Sequence, residues 1–192
     1  MIIKQIAVGP MGNFSYLIAD EDNKEGLVID PAWEINKILN EAKKEDIHII
    51  YIVNTHYHID HTNGNQEILK RTRAKLIAHE KEIDYISPPP DIKVKDLDTI
   101  KLGKLEIKII HTPGHSEGGI CLLVENNLFT GDTLFVEGAG RTDLPGGDSK
   151  TLYSSLEKLK KLDDDLTVYP GHFYGPKKHA TLKFIKEVNP YL

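Results

Sequence analysis

The chain is expected to fold as a mixed α/β sandwich of four layers, αββα, with two sheets packed together and helices outside. Three observations lead to this. Strand-like and helix-like segments follow one another as strands, helix, strands, helix, twice over. The apolar run Ile47–Val53 needs cover on both faces. The chain has 192 residues, 40% hydrophobic and 28% charged, which suits one domain over residues 1–192 with a sizeable buried core.

Ile2–Val8, Asn13–Ala19 and Gly26–Ile29 alternate or run apolar between Gly, Pro and acidic turn residues, so they read as hairpin strands. Trp33 to Ala42 places apolar residues at 35, 38, 39 and 42, a helical spacing. After the strand at Ile47–Val53, a helix is expected over Gly64–Arg71, a strand over Lys75–Ala78 and a short helix over Glu80–Tyr85. Ser87-Pro88-Pro89-Pro90 reads as a stiff extended connector. Strands are expected at Thr99–Leu102, Leu105–Ile110, Gly119–Val124, Asn127–Thr130 and Leu166–Tyr169. The glycine-rich stretch 131–150 reads as loop, Thr151–Leu162 as amphipathic helix and Lys178–Val188 as a closing helix.

Composition excludes several classes. The net charge of −5 supplies no basic field for nucleic acid. No run approaches the roughly 20 apolar residues that cross a bilayer, so no membrane partner is expected. A single cysteine, Cys121, cannot pair within the chain, which points to a reducing cytoplasm.

Nine histidines are the unusual number, and five of them fall in a pattern. Residues 56–61 read H-x-H-x-D-H directly after a buried strand. By composition alone this would arise in about one of several hundred such chains. In a still extended segment His56 and His58 point the same way. Neutral imidazole and carboxylate are good ligands for zinc. The plainer reading is a polar strand-to-helix turn with Asp60 capping the next helix. Three further turns, T-P-G-H ending at His115, T-G-D ending at Asp132 and Y-P-G-H ending at His172, each follow a strand. Together these segments offer five His and two Asp, enough for two metal ions. His48, His79, His111 and His179 are expected on the surface or in the core instead.

The ordered set T-H-Y-H-I-D-H, H-T-P-G-H-S, T-G-D-T-L-F and Y-P-G-H resembles the metallo-β-lactamase superfamily over nearly the whole chain. The resemblance implies the αββα sandwich with metals at the sheet edge. It implies that His56, His58 and His115 hold one metal, that Asp60, His61 and His172 hold a second, and that Asp132 bridges them. Two divalent ions are implied, zinc first, with iron or manganese as alternatives. The segment G-D-T-L-F-V-E-G-A-G-R-T-D-L-P-G-G-D is similar to the glyoxalase II group, the hydroxyacylglutathione hydrolases, and to persulfide dioxygenases. A common form of true β-lactamase carries Cys where this chain has Asp132, and flavodiiron proteins carry Glu in place of His58. Glyoxalase II has an additional C-terminal helical region, so a single-domain relative is expected here.

The expected substrate is a small molecule, a glutathione or other thiol conjugate. A thiolate leaves without strong acid help, which favours a thioester or activated ester over a peptide bond. Arg141 is a candidate anchor for a substrate carboxylate, or else a partner of Asp143. Tyr174 could present its hydroxyl to substrate, or pack in the core. The rival reactions are oxygenation of a persulfide at one Fe(II) held by His56, His115 and Asp132, and lactone or phosphodiester hydrolysis on the same frame.

Overall fold

A computed structural model describes residues 1–192. The first sheet has the order β1 to β6: Ile2–Val8, Asn13–Ala19, Glu25–Ile29, His48–Val53, Lys75–His79 and Ile92–Val94. The second has the order β12-β11-β10-β9-β8-β7. In chain order these strands are β7 Thr99–Leu102, β8 Leu105–His111, β9 Ile120–Val124, β10 Asn127–Gly131, β11 Thr167–Pro170 and β12 Ala180–Thr181. Five helices complete the chain: α1 Ile35–Lys44, α2 Ile59–Thr62, α3 Asn65–Arg71, α4 Ser149–Lys160 and α5 Leu182–Val188.

The alternation of side chains along a strand sorts the core into three layers. On β2, Phe14, Tyr16 and Ile18 face the second sheet, while Leu17 and Ala19 face α1. On β8, Leu105, Ile107 and Ile109 enter the layer between the sheets. The outer layer of the first sheet is closed by Ile35, Ile38 and Ala42 of α1 and Ile68 of α3. The outer layer of the second is closed by Leu152, Leu156 and Leu159 of α4 with Leu182 and Ile185 of α5. This is the αββα arrangement that the sequence pattern predicts.

Four local differences have physical causes. Residues 80–85 form successive turns, not a helix; their Glu82 is drawn inward to neutral donors on another loop. Ile92–Val94, hidden behind the prolines, pairs with β5 as an edge strand. Ala180–Thr181, read as helix, pairs with β11 before α5 begins. α2, four residues long, forms within the H-x-H-x-D-H segment itself.

Between the sheets Phe129 lies fully buried, stacked on Tyr169 at 5.0 Å and edge-on to Tyr16 at 5.0 Å. Phe129→Ala should lower the unfolding free energy by about 3–5 kcal/mol. Urea denaturation checks this, and a change under about 1 kcal/mol would mean the layer repacks freely.

Candidate metal centre

Five strands deliver their C-terminal ends to one edge of the sandwich. β3 and β4 are parallel, as are β10 and β11, and β8 runs with β10 because both pair antiparallel with β9. The residues that follow these strands are Asp30, the segment 54–58, Asp132, His172 and the segment 112–116. The Ile120 N–H donates to the Thr55 carbonyl at 2.9 Å and joins the two sheets there. Two glycines permit the crowding. A Cβ on Gly131, whose φ is +47°, would lie 2.4 Å from Thr55 Oγ1. A Cβ on Gly171 would lie 2.3 Å from Asp132 Oδ1. That is the structural reason for glycine just before Asp132 and His172.

All seven side chains singled out in the sequence meet at this edge. His56, His58 and His115 form one trio whose nitrogen atoms lie within 4.8 Å of one another. Asp60, His61 and His172 form a second trio on the same measure. Asp132 lies between them. Its Oδ1 is 3.4 Å from His61 Nε2, and its Oδ2 is 3.6 Å from His115 Nε2 and 3.2 Å from His172 Nε2.

The rings are aimed by their outer nitrogens. His115 Nδ1 is 2.7 Å from the Arg141 carbonyl, and His172 Nδ1 is 3.1 Å from that of Met11. His61 Nδ1 is 3.0 Å from Asp30 Oδ2. His56 Nδ1 is 3.0 Å from Thr55 Oγ1, which itself donates to Asp30 Oδ2 at 2.6 Å. Carbonyl and carboxylate partners accept only, and Thr55 Oγ1 spends its own hydrogen on Asp30, so each of these Nδ1 atoms carries a hydrogen and turns its Nε2 toward the centre. Inside, Nε2 of His56, His58 and His115 and Oδ1 of Asp132 are buried with no hydrogen-bond partner. Such groups are costly when left unpaired. Convergent lone pairs of imidazole and carboxylate fit divalent metal ions.

Residues 8–172 match the model of the metallo-beta-lactamase superfamily. The chain belongs to this superfamily. It is 44% identical over 180 residues to a hydroxyacylglutathione hydrolase of Polaromonas sp., covering 91% of this chain and 67% of that protein. It is 32% identical over 197 residues to human mitochondrial persulfide dioxygenase ETHE1, covering 100% of this chain and 76% of that one. Among solved structures, ETHE1 from Myxococcus xanthus superposes with a TM-score of 0.92 at 32% identity, covering 99% of this chain and 84% of that chain. The superfamily is one of metal-dependent hydrolases, yet its members near this chain include both a hydrolase and a dioxygenase by name.

Charge is divided unevenly across the centre. Burial and the neighbouring imidazoles hold His56 well below the usual histidine range. Burial, then His115, brings His58 down to about 4. Burial also opposes charge on His172, but the Asp132 and Asp60 carboxylates outweigh it and push its pKa up to about 10. His61 is raised against burial by Asp132, Asp30 and Asp60. Asp60 and Asp132 are lowered despite burial, by His172 and His61.

Two contributors carried no sequence signal of their own. Asp30 falls just past the strand expected at Gly26–Ile29, yet it anchors His61 and, through Thr55, His56. Asn13 read as a strand start, yet its Nδ2 donates to Asp60 Oδ2 at 2.9 Å and to the Asp60 carbonyl at 3.1 Å. The metal-binding pattern could have led to them only through the rule that ligand rings need outer partners.

A cavity of about 490 Å³ opens over the centre. Arg141 and Tyr174 line it, together with Met11, Ile59, Phe135 and Leu144. The Arg141 guanidinium is paired with Asp143 through two contacts of 2.6 Å, and the pair is exposed. The Tyr174 ring stacks on His172 at 4.7 Å and is half exposed, not packed in the core. His111 stacks on His79 at 4.1 Å, away from this cavity. A wider, shallow groove along α1 carries none of the clustered histidines.

The raised pKa of His172 makes a prediction for chelator-stripped protein. A group raised from 6.5 to about 10 on folding stabilises fully below pH 6.5 and loses that contribution as pH rises to about 10. Thermal midpoints of the stripped protein should therefore fall over this window, and His172→Gln should flatten the fall. Parallel pH profiles for the two proteins would contradict the assignment.

Proposed function

We propose that the chain is a metal-dependent hydrolase of the glyoxalase II kind, a single domain over residues 1–192 that cleaves a thioester or other activated ester. The observation that carries this reading is the set of buried Nε2 lone pairs and Asp132 Oδ1 turned toward one another without partners. His56, His58 and His115 would hold one divalent ion and Asp60, His61 and His172 another, with Asp132 between. Zinc is the first choice, and iron or manganese are chemically acceptable to the same donors. When bound, such ions supply Lewis acidity and a water of lowered pKa.

The protein's own groups do the rest. Asn13 holds Asp60 Oδ2, so the Asp60 carboxylate is oriented to accept from the attacking water. The outer partners of the imidazoles keep the donor atoms in place before substrate arrives, so little reorganisation is needed at the reacting carbonyl. Met11, Ile59, Phe135 and Leu144 form an apolar wall beside it that displaces water from the substrate. Arg141 can exchange Asp143 for a substrate carboxylate, because an exposed ion pair is weakly held. Tyr174 offers its hydroxyl at the rim. A leaving thiolate, ordinary pKa near 8.5, departs without a general acid. The substrate is thus a small thiol conjugate, glutathione among the candidates, and the single free thiol at Cys121 suits a reducing cytoplasm. No helix is long and apolar enough to cross a membrane.

A second reading has a specific observation in its favour, the 32% identity over the full chain to a persulfide dioxygenase. It would use one Fe(II) at His56, His115 and Asp132. The second trio of ligands favours the hydrolase.

Metal analysis of the purified protein with a panel of thioesters, lactones, bis-p-nitrophenyl phosphate and glutathione persulfide separates the readings. Two ions per chain with thioester cleavage support the proposal. One iron with oxygen uptake on the persulfide would overturn it, and preference for a lactone or phosphodiester would redirect it. Asp132→Ala should lower kcat/KM more than about a hundredfold and reduce metal retention. An active variant of unchanged metal content would remove Asp132 from its bridging role.

A further inference from the structure

Glu82 has no part in the chemistry described so far, and it is 1% exposed. It lies in the turns after β5, where its own N–H donates to the His79 carbonyl at 2.9 Å and its carbonyl accepts from the Tyr85 N–H at 3.0 Å. The side chain reaches away from β5 into the loop that carries His115. Oε1 accepts from Ser116 Oγ at 2.7 Å and from the Gly118 N–H at 2.6 Å. Oε2 is buried with no hydrogen-bond partner; the Tyr57 main chain is the neighbour on that side, and Tyr57 and Glu82 line one small cleft. Gly118 leaves room for it, since a Cβ there would lie 2.6 Å from Glu82 Cγ.

A buried carboxylate on neutral donors is expensive in desolvation, so a purely packing role would be met more cheaply by an apolar side chain. What distinguishes Glu82 is what the groups around its carboxylate adjoin. Tyr57 stands between His56 and His58, and Ser116 follows His115. One carboxylate therefore spans the two loops that supply the first trio. The second trio hangs from other partners: Asn13 for Asp60, Asp30 for His61 and the Met11 carbonyl for His172.

We propose that Glu82 is a positioning residue for the first metal site: by tying the 56–58 turn to the 115–118 turn it sets the mutual placement of the His56, His58 and His115 nitrogens, and leaves the second site untouched. The proposal rests on the two-ion reading above. Loss of a partner bonded directly to a ligand weakens metal binding about ten- to a hundredfold, and a carboxylate that fixes the ligands' loops should act within that range.

The test uses the full chain, zinc as the probe and competition with a chelator of known affinity. In the His172→Ala background one ion remains, at the first site. Adding Glu82→Ala there should weaken it about ten- to a hundredfold. In the His115→Ala background the remaining ion sits at the second site, and Glu82→Ala should change it less than about twofold. Glu82→Gln keeps an oxygen for Ser116 and Gly118 and should recover most of the affinity. Should Glu82→Ala fail to fold, judged by the thermal midpoint of stripped protein, Ser116→Ala takes its place and should weaken only the first site, by a smaller factor. Equal weakening in both backgrounds, or none in the first, overturns the proposal while the two-ion reading stands. A wild-type chain that binds no zinc overturns both.

Discussion

Three buried imidazole nitrogens and one carboxylate oxygen face one another with nothing to bond, and the architecture around them is the means of holding them so. Polar atoms in that state would normally be expelled to water or paired. They stay because the His115 ring is fixed from behind by the Arg141 carbonyl and the His56 ring by Thr55 leaning on Asp30, with His58 wedged edge-on between His56 and His115. The backbone around them is fixed by strands on both sheets. The sandwich thus acts as a frame that makes several strand ends converge, and the glycines at 131 and 171 let them converge closely.

The centre is electrostatically two-sided. His56 and His58 are kept neutral by burial and by neighbouring imidazoles, while His61 and His172 are drawn toward the charged state by Asp132 and Asp60, with Asp30 adding to His61. Incoming cations meet bare lone pairs on one side and must displace protons on the other, which couples loading to pH. Asp30 is central to both sides, since a single carboxylate supports His61 directly and His56 through a hydroxyl.

Much of this was legible in the sequence, for identifiable reasons. The strands Ile2–Val8 and Asn13–Ala19 show clear patterning between turn residues, and the structure has them with those bounds. The seven clustered residues stand at strand ends inside short motifs, where chemistry is concentrated in a few positions. Asp30, Asn13 and Glu82 were not legible as site residues. Their partners are 31, 47 and 34 positions away respectively, and nothing local marks a carboxylate or amide that will be buried by such contacts. The same long-range pull explains why 80–85 forms turns where the local pattern reads as helix. Arg141 shows the limit of side-chain type as a guide, because it lines the cavity and pairs with Asp143 at the same time.

If the seven side chains form a ready cage for two ions, crystals of the protein loaded with zinc and measured on both sides of the zinc absorption edge should show two anomalous peaks flanking Asp132, each about 2.0–2.2 Å from its imidazole nitrogens. A peak elsewhere on the surface with none between His56 and His172 would contradict it.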